Sequence, residues 1–204
     1  MTDRFLDKAY GLSDPEETRA LYDRWAQSYD SELDANGYAT PGRIAAALAP
    51  RLPAPDLPVL DFGCGTGLSG QALAGAGLRV IDGMDPSAEM LTQARAKDVY
   101  RRLTRIALDD PAPVPQDMYR AIAAIGVIGT GAAPAETLDM LMKALPPQGL
   151  LGFSFNDHAL ADPQYEGRLN AWLDCGAARL LLRDYGPHLP GQNLNANVYV
   201  VEKA

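Results

Sequence analysis

Hydrophobic and polar positions follow a repeated pattern through residues 58–201, and this pattern predicts an α/β protein. Short apolar runs alternate with segments whose apolar residues have helical spacing, which is typical of a parallel sheet with helical crossovers. Predicted strands cover 58–62, 78–84, 102–108, 119–128, 150–155, 178–185 and 195–201. Predicted helices cover about 66–75, 86–97, 134–145 and 163–174, and 109–117 and 186–192 are predicted loops.

The first 50 residues are helical in pattern and predict a cap or lid. Ser13 is an N-cap candidate with Glu16 three residues later, the spacing of a capping box. Asn36-Gly37 interrupts the pattern, and Thr40-Pro41 begins a second helix that runs to about Pro50. We therefore expect an N-terminal helical cap over 1–50 and one compact domain over 51–204.

The segment from Val59 to Gly67, with the sequence VLDFGCGTG, is the most informative in the chain. Its apolar start reads as a buried strand, and three glycines follow an acidic residue. Glycine allows left-handed backbone and lets a ligand approach without a Cβ in the way. The helix after the turn directs free N–H groups toward the same place, so a ligand is expected at the carboxyl end of this strand.

This segment resembles motif I of the class I S-adenosylmethionine-dependent methyltransferases, with the acid, the spacing and all three glycines present. The resemblance covers roughly residues 58–203. It implies a Rossmann-like, doubly wound sheet of seven strands, with strand seven antiparallel between strands five and six. It also implies S-adenosyl-L-methionine as the cofactor and a methyltransferase as the activity.

Carried onto this chain, the resemblance assigns a partner to each part of the cofactor. Asp85, at the end of strand two, is expected to bind the ribose diol, and Asp61 to face the amino group. Near adenine the chain departs from the family pattern, because Ala107 or Leu108 lies where an acid is common and Asp109 is the nearest carboxylate. The complete set expected to bind the cofactor is Tyr22, Trp25, Tyr29, Asp61, Gly63, Cys64, Gly65, Thr66, Gly67, Met84, Asp85, Pro86, Met90, Leu108, Asp109 and Ile125.

Residues 21–30, LYDRWAQSYD, carry a second resemblance. They are similar to the N-terminal segment of small-molecule methyltransferases close to the Williams–Beuren-region methyltransferase-like group, in which this helix covers the cofactor. Tyr22, Trp25 and Tyr29 share one helix face, and aromatic faces attract a sulfonium by about 0.5–2 kcal/mol. Tyr38 is expected in the same cleft. The alternative for Trp25 is simple helix packing.

Charge and strand four both favour a small-molecule acceptor. A net charge of −8 and a pI near 4.7 argue against a broad nucleic-acid footprint. After strand four the chain reads Ile125-Gly126-Val127-Ile128-Gly129, without the Asn/Asp-Pro-Pro-Tyr/Phe segment of many amide and amino nitrogen methyltransferases. This weighs against a base-flipping enzyme.

Composition bounds the remaining possibilities. Two cysteines give no disulfide framework, and two histidines give no metal-ligand spacing, so we expect no metal. Residues 1–10 lack the apolar core of a secretory signal, and 121–133 is too short to span a bilayer, so a cytoplasmic protein without membrane contact is expected. The oligomeric state cannot be read from the sequence.

No general base is evident. His158, after strand five, is the best-placed candidate, and His188 in the 185–188 loop is a second.

Two other functions stay open. One is a non-catalytic S-adenosylmethionine-binding protein. The other is an NAD(P)-dependent oxidoreductase, because residues 65–70 fit the dinucleotide fingerprint with Asp85 twenty residues on from Gly65.

Overall fold

The computed structural model describes residue 5 and residues 14–204, and it confirms the predicted α/β sheet. The strands are β1 Val59–Phe62, β2 Ile81–Asp85, β3 Arg102–Arg105, β4 Ala121–Ala124, β5 Leu150–Asn156, β6 Ala178–Leu189 and β7 Leu194–Lys203. They form one seven-stranded sheet in the order β3-β2-β1-β4-β5-β7-β6. Strand β7 runs antiparallel to both β5 and β6, as the resemblance implied.

Eight α-helices lie in the described residues. They are α1 Pro15–Trp25, α2 Tyr29–Ala35, α3 Thr40–Leu48, α4 Leu68–Gly75, α5 Ala88–Ala96, α6 Thr137–Ala144, α7 Asp157–Leu160 and α8 Pro163–Asp174. Short 3₁₀ turns cover Ala49–Arg51 and Pro190–Gln192. None of these helices, over the part of the chain that the structure describes, has both the length and the apolar character needed to cross a membrane.

Several predicted boundaries shift. The predicted N-cap Ser13 lies outside the described residues, and Asp14 caps α1 by accepting a bond from the Glu17 N–H at 2.9 Å. Strands β3 and β4 end earlier than predicted. Strand β6 extends into the predicted 186–192 loop as far as Leu189. It is an edge strand that pairs only with β7, so a proline such as Pro187 removes no hydrogen bond to a strand on its open side.

The core lies on both faces of the sheet. One cluster includes Leu60, Ile122 and Phe153 together with residues of α6 and α8. The second includes Ile44 and Leu48 of α3, which pack against the opposite face. Alternate residues of each strand therefore enter different clusters, which is the period-two pattern expected of a sheet covered on both sides.

Only the first part of the predicted cap lies over the carboxyl ends of the strands. Helices α1 and α2 form a third cluster, which buries Trp25 to 1% exposure and includes Leu189 and Leu194 beside the β6–β7 turn. Helix α3 instead packs on the sheet. The division of the chain into a cap over 1–50 and a domain over 51–204 stays a prediction.

The tight packing beneath the glycine-rich turn predicts that Gly83→Ala destabilises the fold. A Cβ at this position would lie 2.7 Å from Leu103 Cδ2 and 2.9 Å from Cys64 Sγ. Overpacking of this kind costs roughly 1–3 kcal/mol in the free energy of unfolding, measurable by urea denaturation. Gly42→Ala in α3 is the control, since no atom lies within 4 Å of its Cβ position. Equal stability of the two variants would contradict the packing described here.

Candidate functional site

The turn between β1 and α4 has a backbone that only glycines adopt easily. Gly63, Gly65 and Gly67 have φ angles of +68°, +53° and +93°, in or near the left-handed region that other residues avoid. The N–H groups of Gly63 and Cys64 both donate to the Met84 carbonyl oxygen, at 2.8 and 3.0 Å, and fix the turn to β2. No atom lies within 4 Å of the Cβ position of Gly65, so the turn presents open backbone there.

Asp61 is a buried carboxylate in which one oxygen accepts hydrogen bonds and the other has no partner among the described residues. Its Oδ2 accepts hydrogen bonds from the Ser69 hydroxyl at 2.6 Å and the Tyr100 hydroxyl at 2.7 Å. Its Oδ1 is buried and has no partner among the described residues. Burial raises the pKa of Asp61 to about 6, although the two hydrogen bonds oppose the rise. A donor from a ligand would satisfy Oδ1.

Asp85, the last residue of β2, holds the turn from the other side. Its Oδ2 accepts from the Gly65 N–H at 2.9 Å and its Oδ1 from the Ser87 N–H at 2.8 Å. Burial raises the pKa of Asp85 to about 6, the two backbone bonds oppose this rise, and nearby Asp23 adds to it. A carboxylate accepts about four hydrogen bonds, so capacity remains for two hydroxyl donors.

A cleft beside β2 and β3 brings together Pro86, Leu108 and Asp109, three of the residues predicted on the adenine side. We call it the β2–β3 cleft, and its volume is about 410 Å³. Glu16 and Arg19 of α1 form its outer wall. The segment that departs from the family pattern therefore lines a cleft next to Pro86, and its contact with adenine stays a prediction.

A second space lies under the cap, and we call it the aromatic cavity. It is narrow, about 50 Å³. Trp25 and Tyr29 meet edge to face there with ring centroids 4.6 Å apart. Trp25 is a core residue and also a wall of the cavity, and its predicted contact with the cofactor stays a prediction. The lining consists of Tyr22, Trp25, Tyr29, Leu33, Tyr38, Gly126, Ile128, Gly129, Thr130, Gly131, Ala132, Ser154, Asn156, His188 and Leu189.

Between the two spaces, the cap is bonded to the turn region. The Thr66 hydroxyl donates to Asp30 Oδ1 at 2.5 Å, and Lys97 forms an ion pair with the same carboxylate. The Ser87 hydroxyl donates to Asp23 Oδ1 at 2.6 Å. These contacts hold α1 and α2 across the strand ends that carry Asp61 and Asp85.

Other predicted residues occupy supporting positions. Cys64, Met84, Met90 and Ile125 are buried, with 1–5% exposure, and none lines either space. Burial raises the pKa of the Cys64 thiol, which keeps it protonated. We infer that these four side chains shape the site through packing.

The two histidines have opposite environments. His158 is exposed on α7 and does not line the aromatic cavity, because the strand end it follows turns directly into this helix. His188 is buried, lines the cavity and hydrogen-bonds through Nδ1 with the Thr40 hydroxyl at 2.7 Å. Of the two candidates, His188 lines the aromatic cavity and His158 does not, and the role of each stays a prediction.

A methyltransferase domain family model matches residues 29–193 of the chain. The human "Methyltransferase-like protein 27" is 32% identical over 169 residues, which is 81% of this chain and 68% of that protein. The chain belongs to the methyltransferase domain family. This confirms the predicted class I family, whose cofactor is S-adenosyl-L-methionine.

Solved structures with much lower identity share the fold of this methyltransferase. A methyltransferase from Geobacter sulfurreducens in complex with S-adenosyl-L-homocysteine has a TM-score of 0.58 at 16% identity, covering 79% of this chain and 91% of that one. The [4+2]-cyclase SpnF has a TM-score of 0.59 at 17% identity, covering 79% and 80%. The fold alone therefore does not fix the reaction.

The residues of this methyltransferase fit the family's cofactor. The unpartnered oxygen of Asp61 suits an ammonium group, and the spare acceptor capacity of Asp85 suits a diol. The open backbone at Gly65 lies between these two carboxylates along the turn. The sulfonium, in turn, suits the aromatic side chains of the cap.

Sequence reasoning missed the residues that support these carboxylates. Tyr100 donates to Asp61 and also accepts from the Gly70 N–H at 3.1 Å, yet it lies in a connection with no motif. Asp23 and Asp30, which bond the cap to the turn, sit inside the quoted aromatic segment but were not singled out. Ser69, two residues after the last motif glycine, was the one with a local signal, because a hydroxyl there faces back toward the strand.

The raised pKa of Asp61 predicts a pH-dependent gain from Asp61→Asn. An aspartate whose pKa is higher in the folded state favours folding while protonated. That contribution is lost as pH rises from the unfolded value near 3.8 through the folded value near 6. The stability difference between Asp61→Asn and the natural protein should therefore grow from pH 4 to pH 7, toward about 3 kcal/mol. Urea titrations at each pH measure it, and a difference independent of pH would contradict the assignment.

Proposed function

We propose that this protein is an S-adenosylmethionine-dependent methyltransferase that transfers a methyl group to a small-molecule acceptor. The observation that carries the proposal is the pair of buried carboxylates at the ends of β1 and β2, one with an unpartnered oxygen and one bonded to the open glycine turn. The cofactor supplies an activated methyl group on a sulfonium. The protein's part is to hold cofactor and acceptor in line and to exclude water.

The proposed binding mode extends across the carboxyl ends of the strands. Adenine occupies the β2–β3 cleft beside Pro86, the ribose bonds to Asp85, and the amino group bonds to Asp61. The methyl group then points to the aromatic cavity, where the acceptor binds. Since the enclosed cavity is only about 50 Å³, α1 and α2 must move outward to admit an acceptor.

The acceptor is proposed to be small because the aromatic cavity is narrow and residues of α1 and α2 form part of its wall. The acidic chain and the segment after β4 support the same view, since neither suits a nucleic-acid strand. A cytoplasmic location is part of the proposal. His158, which does not line the cavity, stays a sequence prediction for the catalytic base.

The non-catalytic alternative retains one supporting observation. No side chain with a free, strongly basic group lines the aromatic cavity in the described residues, and burial lowers the pKa of His188 to about 4. Binding of the cofactor without turnover over a broad acceptor panel would favour that alternative. The oxidoreductase alternative gains nothing from the family match and is not proposed.

Calorimetric titration with S-adenosylmethionine, S-adenosylhomocysteine and NADH tests the cofactor. We expect micromolar binding of both sulfur ligands, and we expect Asp85→Asn to weaken it about 10- to 100-fold, because hydrogen bonds to a charged group are lost. Asp56→Asn is the control, since it makes the same charge change at an exposed position. Binding of NADH alone, or equal binding by both variants, would overturn the proposed binding mode.

A further inference from the structure

One wall of the aromatic cavity is polar, and its three residues come from two strands. Ser154 and Asn156 lie two positions apart on β5 and therefore face the same side of the sheet. His188 joins them from the end of β6. No side chain that is charged at neutral pH lines the cavity in the part of the chain that the structure describes.

On β5, the protein already occupies an acceptor atom of each side chain. The Gly126 N–H donates to Ser154 Oγ at 3.1 Å, and the Ala159 N–H donates to Asn156 Oδ1 at 3.0 Å. Because a backbone N–H pairs only with an amide oxygen, the second bond fixes the orientation of the Asn156 amide. The Ser154 hydroxyl proton and the Asn156 Nδ2 group have no acceptor among the described residues.

The third polar residue, His188, also presents a hydrogen-bond donor to the cavity, because its other ring nitrogen is already paired within the protein. Thr40 is fully buried, and the hydrogen bond to His188 Nδ1 at 2.7 Å is the one its hydroxyl makes among the described residues. If Nδ1 carried the proton, the Thr40 hydroxyl proton would be buried without an acceptor, which is costly. The hydroxyl therefore donates to Nδ1. The neutral imidazole then carries its hydrogen on Nε2, which has no partner among the described residues.

We propose that the methyl acceptor presents an oxygen with free lone pairs to this wall, where Ser154, Asn156 and His188 donate hydrogen bonds to it. The acceptor is thus a flat molecule with a carbonyl, carboxylate or ionised hydroxyl group, held against the aromatic side chains of the cap. A protonated amine, which has donors but no free lone pair, cannot accept the three hydrogen bonds that this wall offers. The inference rests on the proposed function and specifies its substrate class.

The donor wall also accounts for the lack of a strong base at the site. Preorganised neutral donors stabilise an oxyanion without taking up its proton. His188 binds the acceptor directly in this arrangement. Thr40 is the positioning residue, because its hydroxyl sets the tautomer of His188. The rival interpretation of the cavity is an aromatic cage for cations, and the opposite order of ligand preference would reveal it.

The tautomer of His188 is measured first, by ¹⁵N–¹H correlation spectra of the imidazole groups. With two histidines in the chain, His158→Gln leaves a single signal set to assign. We expect the Nε2–H form in the natural protein, a mixture of tautomers in Thr40→Val, and the Nε2–H form again in Thr40→Ser. An Nδ1–H tautomer in the natural protein would overturn the inference.

The ligand class is measured next, with benzoate, acetophenone and benzylamine titrated in the presence of S-adenosylhomocysteine. Benzoate and acetophenone should shift the His188 signals, and benzylamine should not. Asn156→Asp keeps the N-cap of α7 but replaces the amide donor with a carboxylate. This variant should bind benzoate about 3- to 10-fold more weakly. Preferred binding of benzylamine, or no binding by any probe at millimolar concentration, would overturn the inference.

These outcomes are separable from those of the proposed function. If the natural protein does not bind S-adenosylhomocysteine, the proposed cofactor is refuted, and with it the proposed methyltransferase activity. Normal S-adenosylhomocysteine binding with the wrong tautomer, or with the wrong order of probes, would leave the methyltransferase in place and refute only the oxygen-acceptor class.

Discussion

The site depends on two carboxylates that the fold buries beside a glycine turn. Asp61 and Asp85 end neighbouring parallel strands, so their side chains meet at one edge of the sheet, and burial raises the pKa of each to about 6. Such burial destabilises the ionised form unless donors compensate. The protein supplies two donors to each carboxylate and leaves one Asp61 oxygen without any. A cationic group of a ligand can supply the donor that this oxygen lacks. Binding of such a ligand would therefore also stabilise the folded protein.

The cap uses the same chemistry at its own contacts. Asp23 and Asp30 accept hydroxyl hydrogen bonds from Ser87 and Thr66, which lie in the turns after β2 and β1. These bonds are partly exposed, so each adds only modestly to stability. Trp25 is buried in the third cluster, and burial of so large an aromatic side chain contributes more to stability than partly exposed polar contacts do.

The fold was predictable because its signals are local. Apolar runs mark the strands, and the turn from Gly63 to Gly67 identifies itself by its composition, so sheet order and the position of Asp85 follow from the family resemblance. The ends of the strands were harder to predict. The ladder of β6 continues through Pro187 because this strand lies at the edge of the sheet, and that position depends on how the whole sheet is assembled. Tyr100 and Thr40 could not be found in this way, because each acts on a partner far away in sequence.

The two histidines show why the position of a side chain is harder to predict from sequence than the fold. From the sequence, His158 follows a strand at the correct edge and His188 lies in a predicted loop. In the structure His158 lies exposed on the short helix α7, and His188 lies buried near the end of β6, which continues into the predicted loop as far as Leu189. Burial then makes His188 a neutral imidazole, and its bond to Thr40 decides which nitrogen is free. The environment of His188 is thus set by the length of β6 and by one hydroxyl partner, which lies 148 residues away in sequence.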